Sequence, residues 1–203
     1  MIIAQITDFH ARPPGVTAYG GIDTNGMLRQ AVATIAKLDP RPDCVLATGD
    51  LTDCGLPDEY EIVAEALAAL PMPSFMIPGN HDRRDVMRGC LGGRHPYLRQ
   101  DGHYLHYVID DFPVRLIGLD TVVPGQHGGE MCAEREAWLE RTLAKQPVKP
   151  TLVFMHHPPF ATGVSAMDPM MCRTSPDFAS LIARHPEIER IVTGHYHRPI
   201  VVR

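Results

Sequence analysis

The sequence lacks several features that would assign it to a specialised class of protein. No apolar run approaches the ~20 residues that a membrane-spanning helix requires, and the amino terminus, MIIAQITDFH, has no basic residue of the kind that opens a signal peptide. The five cysteines form no C-x-x-C pair, which disfavours a disulfide framework and a thiolate zinc site. We therefore expect a cytoplasmic protein in a reducing compartment, with no membrane partner.

An excess of positive charge is also missing. The chain has 19 Lys and Arg residues against 24 Asp and Glu residues, which gives a net charge of −5. Proteins that bind extended nucleic acid use a basic surface to release counterions, so this partner class is disfavoured. With 203 residues, 44% of them hydrophobic, the composition is that of a globular protein, and we predict one domain over residues 1–203.

Short apolar runs rich in β-branched residues predict buried strands. They cover residues 2–6, 44–48, 75–77, 114–119, 151–155 and 188–193. Residues 104–109 and 114–119 flank a short polar turn and predict an antiparallel hairpin, so the sheet containing them is expected to be mixed.

Helical patterns alternate with these strands. The first covers residues 26–38 with Asn25 as its predicted N-cap, and the second follows Pro57 and stops at Pro71. A third covers residues 133–144, and Ser175 is predicted to cap a fourth. This alternation is typical of an α/β domain whose sheets are covered by helices. Glycine and proline predict a loop over residues 89–96.

Polar residues follow five of the predicted strands directly. They are Asp8 and His10 after the first strand, Asp50 after the second, Asn80 after the third, His156 after a later one, and His195 with His197 after the last. The carboxyl ends of parallel strands meet at one sheet edge, where open α/β sheets place their ligands. These seven side chains are therefore expected to converge.

The chemistry of the seven groups indicates a metal centre. Carboxylate, imidazole and amide oxygen suit Fe, Mn, Zn or Co, and seven ligands are too many for one ion. Two ions that share Asp50 as a bridge would use them all. The two carboxylates and one bridging hydroxide would leave a residual positive charge, which suits the single negative charge of a phosphodiester. The reaction indicated is hydrolysis at phosphorus.

Each residue also has an ordinary interpretation. A single histidine near a strand end is usually a surface or core residue, and Asp8, Asp50 and Asp82 could cap turns. Arg83 and Arg84 either attract an anion or only solvate the surface. The methionine-rich run 167–171 is either a lid or core filling, and His157 stays unassigned. The metal interpretation depends on the joint pattern.

The blocks Asp8-Phe9-His10, Gly49-Asp50, Gly79-Asn80-His81-Asp82, His156 and Gly194-His195-Tyr196-His197 occur in the order of the five blocks of one enzyme superfamily. The chain resembles the calcineurin-like metallophosphoesterases over nearly its whole length. It is most similar to the bacterial class III phosphodiesterases, and the segments 19–23, 156–159 and 167–169 resemble their glycerophosphodiesterase branch.

The resemblance implies a four-layer sandwich of two mixed β-sheets flanked by α-helices, with two divalent ions. It assigns Asp8, His10 and His197 to one ion, and Asn80, His156 and His195 to the other. Asp50 would bridge them, and in-line attack by a bridging hydroxide would hydrolyse a small glycerophosphodiester or 3',5'-cyclic nucleotide. His81 and Asp50 would be catalytic.

Further roles follow from the same resemblance. Asn80 and His81 would contact the phosphate, and His81 would help to protonate the leaving oxygen. Asp53 and Asp82 would orient these groups from outside. Selectivity is expected to depend on residues 89–100, on residues 160–172 and on whatever follows Arg203.

The end of the sequence leaves two points open. Residues 200–203 predict the opening of another strand, and relatives normally continue beyond it, so the domain is either complete or truncated at its carboxyl terminus. A homo-oligomer stays open for the same reason. The alternatives to a phosphodiesterase are a phosphomonoesterase or protein phosphatase and a scaffold without catalysis.

Overall fold

Strands and helices alternate along the chain in the computed structural model, which describes residues 1–99 and 102–201. The strands are β1 (Ile3–Ile6), β2 (Cys44–Thr48), β3 (Ser74–Ile77), β4 (Tyr107–Ile109), β5 (Arg115–Leu119), β6 (Thr151–Met155) and β7 (Ile188–Val192). The helices are α1 (Thr24–Ile35), α2 (Pro57–Leu67), α3 (Arg84–Leu91), α4 (Ala133–Ala144) and α5 (Phe178–Ala183). Short 3-10 helices cover Pro96–Arg99 and Asp168–Met170.

The strands form two sheets. The first has the order β1-β2-β3 with parallel pairing throughout, and the second has the order β4-β5-β6-β7. In the second sheet β4 pairs antiparallel with β5, and β5, β6 and β7 are parallel. The predicted hairpin is therefore confirmed, and the described part of the first sheet contains no antiparallel pair.

Alternating side chains of the second sheet face two different cores. Leu116 and Phe154 pack into a core shared with the first sheet and with helices α1, α2 and α3. Ile117 and Val153 point the other way, into a core with α4 and α5. Because successive side chains of a strand point to opposite faces, this division requires four layers, helices, sheet, sheet and helices. The predicted α/β sandwich is confirmed.

Both predicted helix caps are wrong. Asp23, not Asn25, caps α1 by accepting from the Gly26 main chain, since Asn25 is buried and bonded to the main chain of Arg12. Ser175 does not cap α5, because its hydroxyl donates to Glu136.

The predicted loop over residues 89–96 begins instead with the end of α3. Met87 and Leu91, one helical turn apart, are fully buried there, and their burial outweighs the helix-breaking tendency of Gly89.

Two further features are the state of the thiols and the length of the helices. All five thiols are free. Within residues 1–99 and 102–201, no helix combines the length and the apolar character that crossing a bilayer requires. The strand predicted over residues 200–203 falls partly on Val202 and Arg203, which lie outside the described residues, as does Gln100 of the predicted selectivity segment.

Candidate metal centre

The predicted site residues lie together at one edge of the molecule, beyond the carboxyl ends of β1, β2, β3, β6 and β7. Main-chain hydrogen bonds extend the pairing past the strands, with Asp8 N donating to Gly49 O at 3.0 Å and His10 N donating to Asp50 O at 3.0 Å. In the other sheet Gly194 N donates to His156 O at 2.9 Å. These bonds align the loops, so residues from five segments face each other.

The first group consists of Asp8, His10 and His197, whose ligand atoms lie within 4.8 Å of one another. His10 Nε2 and His197 Nε2 are 3.3 Å apart, and His197 Nε2 is 3.3 Å from Asp8 Oδ1. Asp8 also accepts from the main chain of His195. Two imidazole nitrogens and a carboxylate oxygen that converge in this way match the donor set of a transition-metal ion.

Asp50 lies between this group and the next. Its Oδ2 is 3.3 Å from His156 Nε2 and 3.8 Å from His10 Nε2, while its Oδ1 accepts from the main chain of His81 at 2.9 Å. Asp8, Asp50 and His156 form a second group whose ligand atoms converge. Asp8 is common to both groups, and Asp50 approaches a histidine of each, His10 and His156, which is a position suited to a bridging carboxylate.

Three buried polar atoms at this centre have no hydrogen-bond partner within the described residues. They are Asn80 Oδ1, His156 Nε2 and His195 Nε2. The other ring nitrogen of His156, Nδ1, lies 2.8 Å from Thr48 O and must carry the proton, because a carbonyl only accepts. In the neutral imidazole its Nε2 therefore offers a lone pair. Leaving buried polar atoms unpaired costs ~1–3 kcal/mol each, and coordination to a cation would satisfy all three.

Strained main-chain conformations also mark this centre. Asp8, His10, Asp50, His195 and His197 all have positive φ, between 44° and 73°. Such conformations cost ~1–3 kcal/mol each in non-glycine residues and concentrate at functional sites. Five of the seven predicted ligands thus adopt a backbone geometry that stability alone does not favour.

The charges at the centre favour a bound positive charge. Burial alone would lower the pKa of His156, but the Asp50 carboxylate raises it to about 9, and His156 in turn lowers the pKa of Asp50. For His195, burial and the nearby charge of His156 lower the pKa to about 4. A proton on His156 and a metal ion compete for the same position, so metal binding would release that proton.

Asp53 connects the centre to two residues around it. Its carboxylate lies 3.3 Å from His10 Nδ1 and accepts from Arg12 Nη1 at 2.6 Å, and its main-chain carbonyl lies 2.8 Å from His81 Nδ1. Asp53 therefore contacts His10 and His81, and its orienting role stays a prediction. Arg12 was not predicted, although Asp8, His10 and Arg12 alternate along a segment that continues the pairing of β1.

His157 is buried against the centre but is not free to bind an ion. Its Nε2 lies 3.1 Å from the His127 main-chain carbonyl and therefore donates, which leaves Nδ1 to accept from the Thr121 hydroxyl at 2.7 Å. Its ring lies 4.8 Å from that of His156 and 4.7 Å from that of His195, measured between centroids. It therefore packs behind the ligands and fixes the loop after β5.

A cavity of about 790 Å³ adjoins the centre. Asn80 and His81 line it, together with residues from the segments 53–54, 82–85, 102–103 and 122–127 and with Arg88. The predicted selectivity segments 89–100 and 160–172 contribute none of the lining among the described residues. Residues 122–127 follow β5 at the same sheet edge as the candidate ligands. This position in the sequence could have predicted that they line the cavity.

Arg83 and Arg84, which both line this cavity, differ in how their side chains are held. Arg84 is committed to the fold, because its guanidinium makes a two-point contact with the Asp120 carboxylate and also donates to Val122 O. Arg83 is exposed on the cavity wall, with its stem beside Gly55. The hypothesis that Arg84 attracts an anion is therefore wrong.

Gly49 is the point at which a side chain would damage the centre most directly. Its φ is +93°, and an added Cβ would lie 2.5 Å from His156 Nδ1. We expect Gly49→Ala to lower the free energy of unfolding by about 3 kcal/mol and to reduce metal retention. Gly15→Ala is the matched control, because Gly15 has φ +78° with open space around it and should lose only about 1 kcal/mol. Equal losses in urea titrations of the two variants would contradict this explanation.

The chain is similar to several known phosphodiesterases. The chain is 39% identical to the glycerophosphodiester phosphodiesterase GpdQ of Enterobacter lignolyticus, over 97% of this chain and 71% of that protein. It is 36% identical to the probable glycerophosphodiester phosphodiesterase GpdQ of Arcobacter nitrofigilis, over 98% of this chain and 72% of that protein. The 3',5'-cyclic adenosine monophosphate phosphodiesterase CpdA of Escherichia coli K12 is 30% identical, over 98% and 70%.

The fold has a counterpart among solved structures. The crystal structure of TT1561 from Thermus thermophilus aligns with 95% of this chain and 81% of that one, with a TM-score of 0.61 at 14% identity. The calcineurin-like phosphoesterase family model matches residues 1–199, which include every block of the candidate centre. This chain therefore belongs to the calcineurin-like phosphoesterase family, whose members are hydrolases that use divalent metal ions.

Proposed function

We propose that this protein is a phosphodiesterase that hydrolyses small diesters, either glycerophosphodiesters or 3',5'-cyclic nucleotides, with two divalent transition-metal ions. The observation that carries the proposal is that three buried atoms, Asn80 Oδ1, His156 Nε2 and His195 Nε2, find no hydrogen-bond partner in the part of the chain that the structure describes. The names of the relatives supply the two substrate classes.

The ligands fall into two sets that share Asp50. Asp8, His10 and His197 would hold one ion, and the three residues with unpaired atoms would hold the other. When bound, the two ions would lower the pKa of water and neutralise charge on the phosphoryl oxygens. The donor set of imidazole, carboxylate and amide oxygen suits Fe, Mn, Zn or Co.

His81 is the protein group best positioned to act on the substrate itself. It lines the cavity beside Asn80, and its main chain is tied to Asp50 while its Nδ1 donates to Asp53 O. That hydrogen bond directs Nε2 away from Asp53. We propose that the imidazolium form of His81 contacts the phosphate through Nε2–H and gives this proton to the leaving oxygen.

A diester is favoured over a monoester by the arginines around the centre. A phosphate dianion is usually bound by added guanidinium contacts. Arg12 is paired with Asp53, Arg84 is paired with Asp120, and Arg88 donates to the carbonyls of Leu98 and Gly102. Arg83 is left to supply such a contact, and the singly charged diester needs fewer of them.

We expect protein reconstituted with Mn²⁺ to hydrolyse bis(p-nitrophenyl) phosphate faster than p-nitrophenyl phosphate, and a chelator to abolish both reactions. The released nitrophenolate gives the rate directly. Faster turnover of the monoester would support the phosphatase alternative instead. Failure to bind or to use any of Fe, Mn, Zn or Co would revive the scaffold alternative.

A further inference from the structure

Tyr19 lies at the tip of a tight turn beside the candidate centre. Ala18 and Ile22 form an antiparallel bridge, with Ala18 N donating to Ile22 O at 2.9 Å and Ile22 N donating to Ala18 O at 2.8 Å. Tyr19, Gly20 and Gly21 have φ values of 48°, 76° and 149°. A bulky aromatic residue rarely adopts positive φ, so this turn holds the backbone of Tyr19 in an unfavourable conformation.

The side chain of Tyr19 is directed at the centre although the residue is 60% exposed. Its hydroxyl oxygen lies 3.0 Å from His10 Nδ1 and 3.3 Å from His10 Nε2, and the two rings meet edge to face. An aromatic residue on a free loop tip would gain more by packing its ring on the surface. Here the apolar ring is left in solvent and the polar end is turned inward.

The Tyr19 hydroxyl is within hydrogen-bond distance of His10 Nδ1, at 3.0 Å, and either group could be the donor. The two nitrogen positions of an imidazole point in diverging directions, so one oxygen cannot lie along both. Each nitrogen also has another neighbour, because Nδ1 is 3.3 Å from Asp53 Oδ1 and Nε2 is 3.3 Å from His197 Nε2. If His10 holds an ion through Nε2, its Nδ1 carries the ring proton and can only donate, so the tyrosine proton is then available for an acceptor that enters the centre.

We propose that Tyr19 is a substrate-binding residue whose hydroxyl donates a hydrogen bond to a phosphoryl oxygen of the diester. This inference rests on the proposed function. The rings of Tyr19 and His81 both lie beside His10, with centroids 5.3 Å and 4.6 Å from the His10 ring. A diester bound at the centre thus meets one donor from the 18–22 turn and another from the cavity.

The test compares Tyr19→Phe with the wild-type holoenzyme. A hydrogen bond to a charged acceptor is worth on the order of tenfold to hundredfold, so we expect kcat/KM for bis(p-nitrophenyl) phosphate to fall by that factor. The inhibition constant of inorganic phosphate should rise as well, because phosphate presents the same oxygens. Bound metal, measured by elemental analysis, should stay at the wild-type level.

A second variant tests the turn without removing the hydroxyl. Gly20→Ala strains the backbone at φ +76° while its Cβ meets open space, so it should weaken phosphate inhibition by displacing Tyr19. Gly15→Ala, in the same loop at φ +78°, should leave phosphate inhibition unchanged.

Each remaining outcome overturns the inference. Unchanged kcat/KM and phosphate inhibition in Tyr19→Phe would mean that the hydroxyl does not touch substrate. A loss of activity accompanied by a loss of metal would make Tyr19 a positioning residue that acts through His10. If the wild-type holoenzyme itself hydrolyses no diester, the proposed function fails, whereas an active wild type with an unaffected Tyr19→Phe overturns only this inference.

Discussion

Replacing Asp50 with asparagine is expected to lower diester turnover by more than ~100-fold. Losing a group that only orients a metal ligand costs up to ~100-fold in activity, and Asp50 is a candidate ligand itself. Asp50 Oδ2 lies 3.3 Å from His156 Nε2 and 3.8 Å from His10 Nε2, so one charge serves both groups of ligands. The substitution is conservative in shape. Asparagine tolerates the φ of 48° at this position, and its amide oxygen still accepts from the His81 main chain.

Metal content and rate should fall together in this variant. Elemental analysis of Mn²⁺-reconstituted protein gives the number of ions retained, and the chromogenic diester gives the rate. Asp111→Asn is the matched control, because Asp111 is exposed and the change removes the same charge. Wild-type turnover with full metal content in Asp50→Asn would eliminate Asp50 as a shared ligand.

The largest loss of stability is expected for Asp82→Ala. Asp82 is 5% exposed, and its carboxylate receives hydrogen bonds from two loops and from helix α2. The donors are Leu51 N, Thr52 N, Thr52 Oγ1, Tyr60 Oη and Gly79 N, at distances between 2.8 and 3.2 Å. Removing the acceptor leaves these buried donors unpaired, so the free energy of unfolding should drop by about 3 kcal/mol or more.

A graded comparison separates this explanation from a general loss of packing. Tyr60→Phe removes one of the five donors and the acceptor of Arg83 N but keeps the ring, so it should cost about 1–2 kcal/mol. Urea unfolding of the three proteins, wild type, Tyr60→Phe and Asp82→Ala, gives the two differences. A loss in Asp82→Ala no greater than that in Tyr60→Phe would contradict the role of Asp82 as the common acceptor for the loops that carry Asp50 and Asn80.

The order of the strands along the chain and the identity of the candidate ligands could be predicted because both are local properties. Buried strands appear as short apolar runs, and each candidate ligand follows such a run within a few residues, so the parallel arrangement alone brings them to one edge. The hairpin was equally accessible, since β4 and β5 are separated by a short polar turn.

Local patterns failed where a contact to a distant segment outweighed propensity. Asn25 has the chemistry of a helix cap, but burial against Arg12 gives it another partner. Residues 89–91 read as loop because of Gly89, yet the burial of Met87 and Leu91 extends α3 through them. In both cases the decisive energy comes from packing that the local sequence does not encode.

What the sequence by itself determined is the α/β class, the succession of strands and helices along the chain and the set of polar residues at the strand ends, since periodicity and residue type express these directly. Only the tertiary structure decided which buried atoms find no partner among the described residues and that Arg84 pairs with Asp120. It also decided that residues of the segment 122–127 line the cavity and that the Tyr19 hydroxyl approaches His10. These depend on distances between segments far apart in the chain, such as the 36 residues that separate Arg84 from Asp120. A one-dimensional pattern does not carry such distances, because they arise only when the sheets and their loops pack.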